Sequence, residues 1–149
     1  MVSIILFVLS WLAFFLLADK KRIPDLFPTA VFSAFLGLLT DLIMEEYKLW
    51  SYHDSPLSGQ EVPLALDFGI YPVVAYLFMQ FLPLSKKSRI IYIFFWTFGS
   101  VLLEYAYLKF GLIQHHLWWS LGISYISDWI IYGLFILQYQ FYAKAEVRL

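Results

Sequence analysis

Residues 90–111, IIYIFFWTFGSVLLEYAYLKFG, form a long apolar run in which only Glu104 and Lys109 are charged. A helix needs roughly 20 consecutive apolar residues to cross a hydrocarbon core of about 30 Å, so this stretch predicts a transmembrane helix. Four other stretches approach the same length and composition. The five predicted spans are residues 2–18, 28–47, 63–84, 90–111 and 121–142.

Prolines refine the ends of these spans. Pro28 and Pro63 are predicted at the first turn of their helices, where the missing N–H has no helical partner to lose. Pro72 falls inside the third span and predicts a kink there, and the rest of the bundle must satisfy the backbone groups that the kink frees.

The composition excludes an ordinary soluble domain. Of the 149 residues, 62% are hydrophobic, 21% are aromatic and 14% are charged, and the mean hydropathy is +0.73. A soluble domain of this length cannot hide so much apolar surface from water. Residues 1–149 are therefore predicted to form one all-α, polytopic transmembrane helical bundle, with the lipid bilayer as a partner.

Charge and cysteine content exclude several function classes. The formal net charge is −1 and no segment carries a basic stripe, so nucleic acid is not an expected partner. The chain has no cysteine, which removes disulfides, thiol catalysis and thiolate metal sites. No nucleophile elbow, phosphate-binding glycine loop or dinucleotide fingerprint occurs, so an enzyme activity has no support from sequence motifs.

The lysines and arginines between the predicted spans indicate the orientation. Eight of the ten, in the loops at 20–22 and 86–89 and in the C-terminal tail, fall on one side of a five-span chain. Lys48 and Lys109 fall on the other side. Because cytoplasmic loops carry an excess of lysine and arginine, the N terminus is predicted outside the cell and the C terminus in the cytoplasm.

A faint internal repeat relates the second and third spans to the fourth and fifth. The matched pairs are Gly37 with Ser100, Asp41 with Glu104, His53 with His116, Asp67 with Asp128 and Tyr71 with Tyr132. The two helix hairpins cross the membrane in the same sense, so a duplication would relate them by an axis along the membrane normal, as in parallel-repeat transporters. The alternative is coincidence in a biased composition.

Four acidic residues, Asp41, Asp67, Glu104 and Asp128, fall inside the predicted spans. A charge at the bilayer centre costs about 2.5–3.5 kcal/mol on insertion scales, so these side chains are predicted to face the bundle interior. In the predicted topology they share one depth near the outer face, which predicts a single cluster that holds protons or a cation. The alternative is that these acids only cap helices or lock the bundle by hydrogen bonds.

More acids surround this predicted cluster on the outer side. The stripe that contains Asp41 continues to Glu45 one turn later. Glu46, Asp54 and Glu61 bring the outer half to eight acids against two lysines, and such a field attracts cations.

Aromatic side chains accompany the acids. Tyr71 and Tyr132 each follow an aspartate by one turn, and Trp118 and Trp119 lie in the last outer loop. Aromatic residues at this depth are commonly interfacial anchors. The alternative interpretation is a lid of π-faces that holds an organic cation. The predicted ligand-binding residues are Asp41, Asp67, Glu104, Asp128, Glu45, Tyr71, Tyr132, Trp118 and Trp119.

Histidines beside carboxylates also suggest a divalent cation as a cofactor. His53 and His116 are the first candidates, since they occupy matching positions in the repeat and imidazole with carboxylate suits zinc or manganese. However, adjacent histidines such as His115 and His116 point in different directions, and no metal motif of fixed spacing occurs.

Four segments resemble an uncharacterised family of small membrane proteins from endospore-forming Gram-positive bacteria. They are residues 38–44 (LLTDLIM), 66–74 (LDFGIYPVV), 103–104 (LE) and 127–129 (SDW). The resemblance covers nearly the whole chain and implies a multi-pass protein of the bacterial plasma membrane, associated with sporulation. It implies no particular activity.

The sequence therefore favours an integral membrane binding or transport protein with an outward-facing acidic and aromatic site for a cation, a proton or a small cationic solute. One alternative is a non-catalytic assembly or sensor subunit, either as a homo-oligomer or beside another membrane protein. A second alternative is a metal-dependent membrane enzyme.

Overall fold

The computed structural model describes residues 2–53 and 63–146, and for 144–146 it describes the backbone alone. This part of the chain is helical apart from one short β-ribbon, which confirms the predicted all-α class. The helices are α1 (Val2–Leu17), α2 (Ile23–Glu46), α3 (Tyr71–Gln80), α4 (Lys86–Lys109) and α5 (Leu121–Glu146). The ribbon pairs β1 (Trp50–Tyr52) antiparallel with β2 (Ile113–His115).

Three helical segments, Lys20–Glu46, Lys86–Lys109 and Leu121–Ala143, are long and apolar enough to cross a membrane. Large apolar side chains point outward along the helices, and Phe35, Phe95 and Ile130 are each more than half exposed. Soluble monomers rarely expose apolar surface on this scale. The exposed surface is therefore consistent with a membrane protein.

The start of α2 differs from the prediction. The helix begins at Ile23, directly after the 3₁₀ turn Lys20–Arg22, so Pro24 occupies its first turn and Pro28 lies inside it. The prediction that Pro28 opens this helix is therefore wrong. A proline in the first turn costs no helical hydrogen bond, and Pro24 already fills that role.

The third predicted span is interrupted before Pro72. A π-helical turn, Leu66–Ile70, precedes α3, and α3 ends at Gln80 rather than at residue 84. Because proline has no N–H, Pro72 cannot donate to the carbonyl of Phe68 four residues earlier. The indole of Trp11 in α1 donates to that carbonyl over 3.0 Å, so a neighbouring helix satisfies it as predicted.

Consecutive helices alternate in direction and define two ends of the bundle. At the ribbon end, α2 and α4 finish beside the strands, and Phe7 of α1 packs against Gly69 of the π-turn. The basic end carries the 3₁₀ turn Lys20–Arg22 and the start of α4, and there Arg22 donates to the carbonyl of Gln80 over 2.8 Å. The buried core near the bundle centre is aromatic, with the ring of Phe78 lying 4.6 Å from that of Tyr132.

Helices α2 and α4 end in the same way. Each has 24 residues, and each is followed by a residue with positive φ, Lys48 at 52° and Gly111 at 67°. A left-handed residue at this place stops a helix and turns the chain. The chain then enters the ribbon, where the N–H of His53 bonds the carbonyl of Leu112 (2.9 Å) and that of His116 bonds the carbonyl of Leu49 (2.8 Å).

Candidate functional site

A cavity of about 690 Å³ lies at the ribbon end, between α2 and α3 on one side and α4 and α5 on the other. This volume is typical of small-molecule sites, which measure about 300–1,000 Å³. Three carboxyl groups line the cavity, those of Asp41, Glu104 and Asp128. Its aromatic wall contains Trp50, Tyr52, Tyr71, Trp96, Trp119 and Tyr132.

One wall holds a pair of buried carboxyl groups. Asp67 is fully buried in the π-turn, and Asp41 on α2 is only 3% exposed. Their side chains lie within hydrogen-bonding reach of each other. Gly37, one turn before Asp41, makes room for this approach: a Cβ there would stand 2.8 Å from Asp67 Oδ1 and closer still to the ring of Tyr71.

This pair has few hydrogen-bond donors. The hydroxyl of Tyr52 donates to Asp41 Oδ1 over 3.2 Å. Within residues 2–53 and 63–143, Asp41 Oδ2 and both carboxyl oxygens of Asp67 make no hydrogen bond, and the indole nitrogen of Trp50, which faces Asp41, makes none either. Buried polar atoms without partners are costly, so the pair is an unusual feature that requires an explanation.

Tyr52 is the donor that the sequence interpretation missed. Burial raises the pKa of its hydroxyl well above the usual value, and neighbouring Tyr71 and Asp41 raise that pKa further. The hydroxyl therefore keeps its proton and stays available to Asp41 as a donor.

The opposite wall holds Glu104 in a hydrogen-bond network. Ser124 Oγ donates to Glu104 Oε1 over 2.6 Å, and His115 Nε2 lies 2.7 Å from the same oxygen. The indole of Trp119 donates to Ser124 Oγ over 3.0 Å, and its ring packs edge-on against that of Trp50 at 4.9 Å. This network fixes the position of Trp119 on the cavity wall.

Asp128 and Tyr132 lie one turn apart on the side of α5 that faces the cavity. Asp128 lines the cavity and is partly buried. The hydroxyl of Tyr132 bonds Ser100 Oγ of α4 over 2.8 Å, which ties the two helices together. The structure thus brings Asp41, Glu104 and Asp128 to one cavity and places Asp67 behind Asp41, outside the lining.

Other predicted residues lie at the edge of this site. Trp118 is 63% exposed and does not line the cavity, although its ring lies 5.8 Å from that of Trp119. Glu45 is half-buried one turn beyond Asp41 and is also absent from the lining. Asp54 and Glu61 lie outside the described residues.

The structure does not bring the two predicted metal ligands together. The backbone N–H groups of His53 and His116 bond opposite ends of the ribbon. These two ends are four residues apart along a strand, a distance of about 13 Å. The side chain of His53 is exposed, whereas His116 Nε2 bonds Ser51 Oγ over 2.9 Å. Across the part of the chain that is described, no group of three or more histidine, aspartate or glutamate side chains is arranged to hold a metal ion.

Two functional residues, Tyr52 and His115, could have been found from the sequence. Each follows an acid of a predicted span by 11 residues, Tyr52 after Asp41 and His115 after Glu104. The same spacing in both halves of the predicted repeat was the available signal. No local motif marks either residue, because both contacts depend on the ribbon folding back over the helix ends.

The site therefore combines a half-enclosed cavity, three carboxyl groups on its wall, a fourth behind it and a lining of aromatic faces. Such a lining suits a ligand with a positive charge and an apolar body. The chain has no significant match to a protein-family model, a curated protein or a solved structure.

Proposed function

We propose that this protein binds or transports a small organic cation, which it receives at the ribbon end of the bundle. One observation supports the proposal: the wall of the 690 Å³ cavity combines three carboxyl groups with aromatic side chains. A cation over an aromatic face gains about 0.5–2 kcal/mol, more when water is excluded. The apolar part of the wall would bury the body of the solute.

The chemistry of the wall favours an organic cation over a bare metal ion. Calcium and magnesium take about six or more oxygen ligands, and zinc about four ligands of fixed geometry. The described carboxyl and imidazole groups form no such set. A quaternary or aromatic cation needs only a nearby negative charge and π-faces.

Five membrane crossings are part of this proposal. Helix α1, at 16 residues, would be about 24 Å long, somewhat less than a hydrocarbon core. It runs from the ribbon end to the basic end beside α3, where the rings of Phe14 and Tyr76 meet at 4.9 Å. With five crossings, the lysines and arginines of the basic end would be cytoplasmic and the cavity would open outward.

We also propose that the hairpins α2–α3 and α4–α5 derive from one duplicated unit. Helices α2 and α4, their positive-φ caps and the reciprocal ribbon bonds all correspond with a constant offset of 63 residues. A two-fold axis along the bundle would then pass through the ribbon and the cavity. Binding sites at the interface of parallel repeats are a known transporter arrangement.

Equilibrium binding of tetraphenylphosphonium to the purified full-length protein tests the function. The neutral analogue triphenylphosphine oxide and protein-free detergent micelles control for partitioning of the probe. We expect saturable binding of the cation alone. Asp41→Asn and Asp128→Asn should each weaken it about tenfold, which corresponds to about 1.4 kcal/mol.

The control variant is Asp25→Asn, which changes an exposed acid of α2 at the basic end. It should bind the probe as the natural protein does. Equal binding by all variants, or equal binding of the neutral analogue, would overturn the proposed function.

Cysteine labelling tests the orientation, because the chain has no native cysteine. Leu117→Cys lies at the ribbon end and Ser88→Cys at the basic end, and both positions are exposed. A membrane-impermeant maleimide should label Leu117→Cys in intact bacteria and Ser88→Cys only after permeabilisation. The reverse pattern would contradict an outward-facing cavity.

A non-catalytic assembly or sensor subunit is the second candidate function. The network around Glu104 supports it, because an acid bound by Ser124 and His115 can serve to hold helices together without a ligand. Under this alternative, a stoichiometric membrane partner would co-purify with the protein and be lost in Glu104→Gln. Location in a bacterial plasma membrane and a role in sporulation are proposals that rest on the family resemblance.

A further inference from the structure

We infer that Asp41 and Asp67 share one proton, and that an organic cation entering the cavity displaces this proton. The inference rests on the proposed function, because the displacing ligand is the cation of that cavity. It adds a second ligand, the proton, and an exchange between the two.

The two carboxyl groups of the pair are deeply buried. Asp67 is completely buried and Asp41 is 3% exposed. Two adjacent carboxylates, both ionised at this depth, would repel each other and lose their hydration. A proton between them turns one carboxyl into a donor and the other into its acceptor, which removes both problems.

The pair also lacks hydrogen-bond donors. Three of the four carboxyl oxygens of the pair have no donor among the described side and main chains. The fourth, Asp41 Oδ1, accepts from Tyr52. One shared proton would give partners to two of the remaining atoms at once, whereas the surrounding side chains give none.

Among residues 2–53 and 63–143, the groups that act on the pair carry no positive charge. Tyr52 approaches from β1, Tyr71 from α3, and Asp128 acts on Tyr71 from α5. Helix α1 contributes the apolar side chain of Phe7 next to the π-turn. His115, whose Nε2 lies 2.7 Å from Glu104 Oε1, is on the opposite wall.

The positions of the two acids couple cation binding to proton release. Asp41 lines the cavity, whereas Asp67 lies behind it and away from the lining. A cation beside Asp41 would stabilise its carboxylate form and so favour loss of the shared proton to water at the ribbon end. One monovalent cation enters as one proton leaves, so the charge of the site is unchanged.

Isothermal titration calorimetry of the full-length protein with tetraphenylphosphonium tests the exchange. The titration is repeated at one pH in two buffers of different ionisation enthalpy, which gives the number of protons released per bound cation. We expect about one for the natural protein and for the control Asp25→Asn. In Asp67→Asn the release should fall to near zero while binding persists, because the amide then donates to an Asp41 that is already ionised.

Infrared difference spectroscopy of the ligand-free protein gives a second readout that does not depend on the probe. The C=O stretch of a protonated carboxylic acid should appear at neutral pH and be absent in Asp67→Asn. If Asp67→Asn does not fold, Asp41→Asn provides the same comparison.

The outcomes separate the two proposals. Binding of the probe by the natural protein without proton release overturns the exchange and leaves the proposed function standing. Affinity that falls as sodium concentration rises at constant pH and ionic strength also overturns it, since sodium would then occupy the pair. If the probe does not bind but the carboxylic-acid band is present, the organic-cation function fails and the shared proton is supported. An absent band overturns the shared proton.

Discussion

The two walls of the cavity hold their acids in opposite states. Glu104 Oε1 accepts from Ser124 and lies against His115, so this oxygen has partners without a ligand. Asp41 and Asp67 have one donor, Tyr52, for four oxygens. The ends of α2 and α4 thus carry one acid with hydrogen-bond partners and one pair that lacks them. If the proposed function is correct, Glu104 supports the architecture and the pair responds to the ligand.

The residue that precedes each acid by one turn explains much of this difference. On α4 it is Ser100, whose hydroxyl bonds Tyr132 of α5. On α2 it is Gly37, which has no side chain, so the ring of Tyr71 and the carboxyl of Asp67 lie against the helix backbone. The π-turn before α3 contributes as well, since it carries Asp67 toward α2, whereas Asp128 lies on the regular helix α5.

The largest expected effect comes from filling the space over Gly37. In Gly37→Ala the new Cβ would stand 2.8 Å from Asp67 Oδ1 and closer to the Tyr71 ring, so both must move. We expect a loss of about 3 kcal/mol of stability, at the upper end for overpacking. Unfolding of the purified protein in detergent measures it.

The matched control is Gly99→Ala, near the same height on α4, where a Cβ meets nothing within 4 Å. That variant should be neutral or stabilise the protein, because alanine favours helix by about 0.5–1 kcal/mol over glycine. Equal effects of the two substitutions would show that Asp67 and Tyr71 do not press against α2.

Amide substitutions should change the stability of the protein in opposite directions on the two walls. Glu104→Gln weakens two hydrogen bonds to a charged acceptor and should cost about 1–2 kcal/mol. Asp67→Asn replaces the shared proton with an amide group that donates to Asp41, so stability should stay the same or rise. Thermal unfolding of both variants at neutral pH, without ligand, makes the comparison, and a large loss in Asp67→Asn would contradict an under-satisfied pair.

A smaller effect is expected from the hydroxyls around Glu104. Ser124→Ala removes the donor to Glu104 and the acceptor of Trp119, and should cost about 1–2 kcal/mol. Thr97→Val removes a hydroxyl that has no partner within residues 2–53 and 63–143 and keeps the side-chain volume. It should be neutral or stabilising in the same unfolding assay, so a similar loss in both variants would argue against the network.

The smallest effect concerns the alkaline titration of Tyr52. The pKa of Tyr52 is raised in the folded protein, so folding favours the neutral hydroxyl. The stability that Tyr52 contributes is therefore fully present below the ordinary tyrosine pKa and is lost as the pH rises above that value. The ultraviolet difference between the natural protein and Tyr52→Phe should therefore show no tyrosinate at about pH 10. Ionisation of Tyr52 at that pH would mean that it does not face the carboxyl pair.

The helical class, the apolar helices and the presence of four acids near one end could be predicted from the amino-acid sequence. These properties depend on local composition: a long apolar run with few charges forms a helix in lipid, and an ionisable residue within it must avoid the acyl chains. A local rule for proline also predicted that the bundle must satisfy the backbone groups freed at Pro72, although it did not identify Trp11 as the donor.

The packing of the helices determines which acids meet and which find hydrogen-bond partners. The ribbon carries Tyr52 and His115 back over the helix ends, and the π-turn sets Asp67 behind Asp41 rather than in the cavity. It also places His53 and His116 at opposite ends of the ribbon. These contacts join residues that are distant along the chain, and their geometry follows from how whole helices pack, which no local pattern of residues encodes.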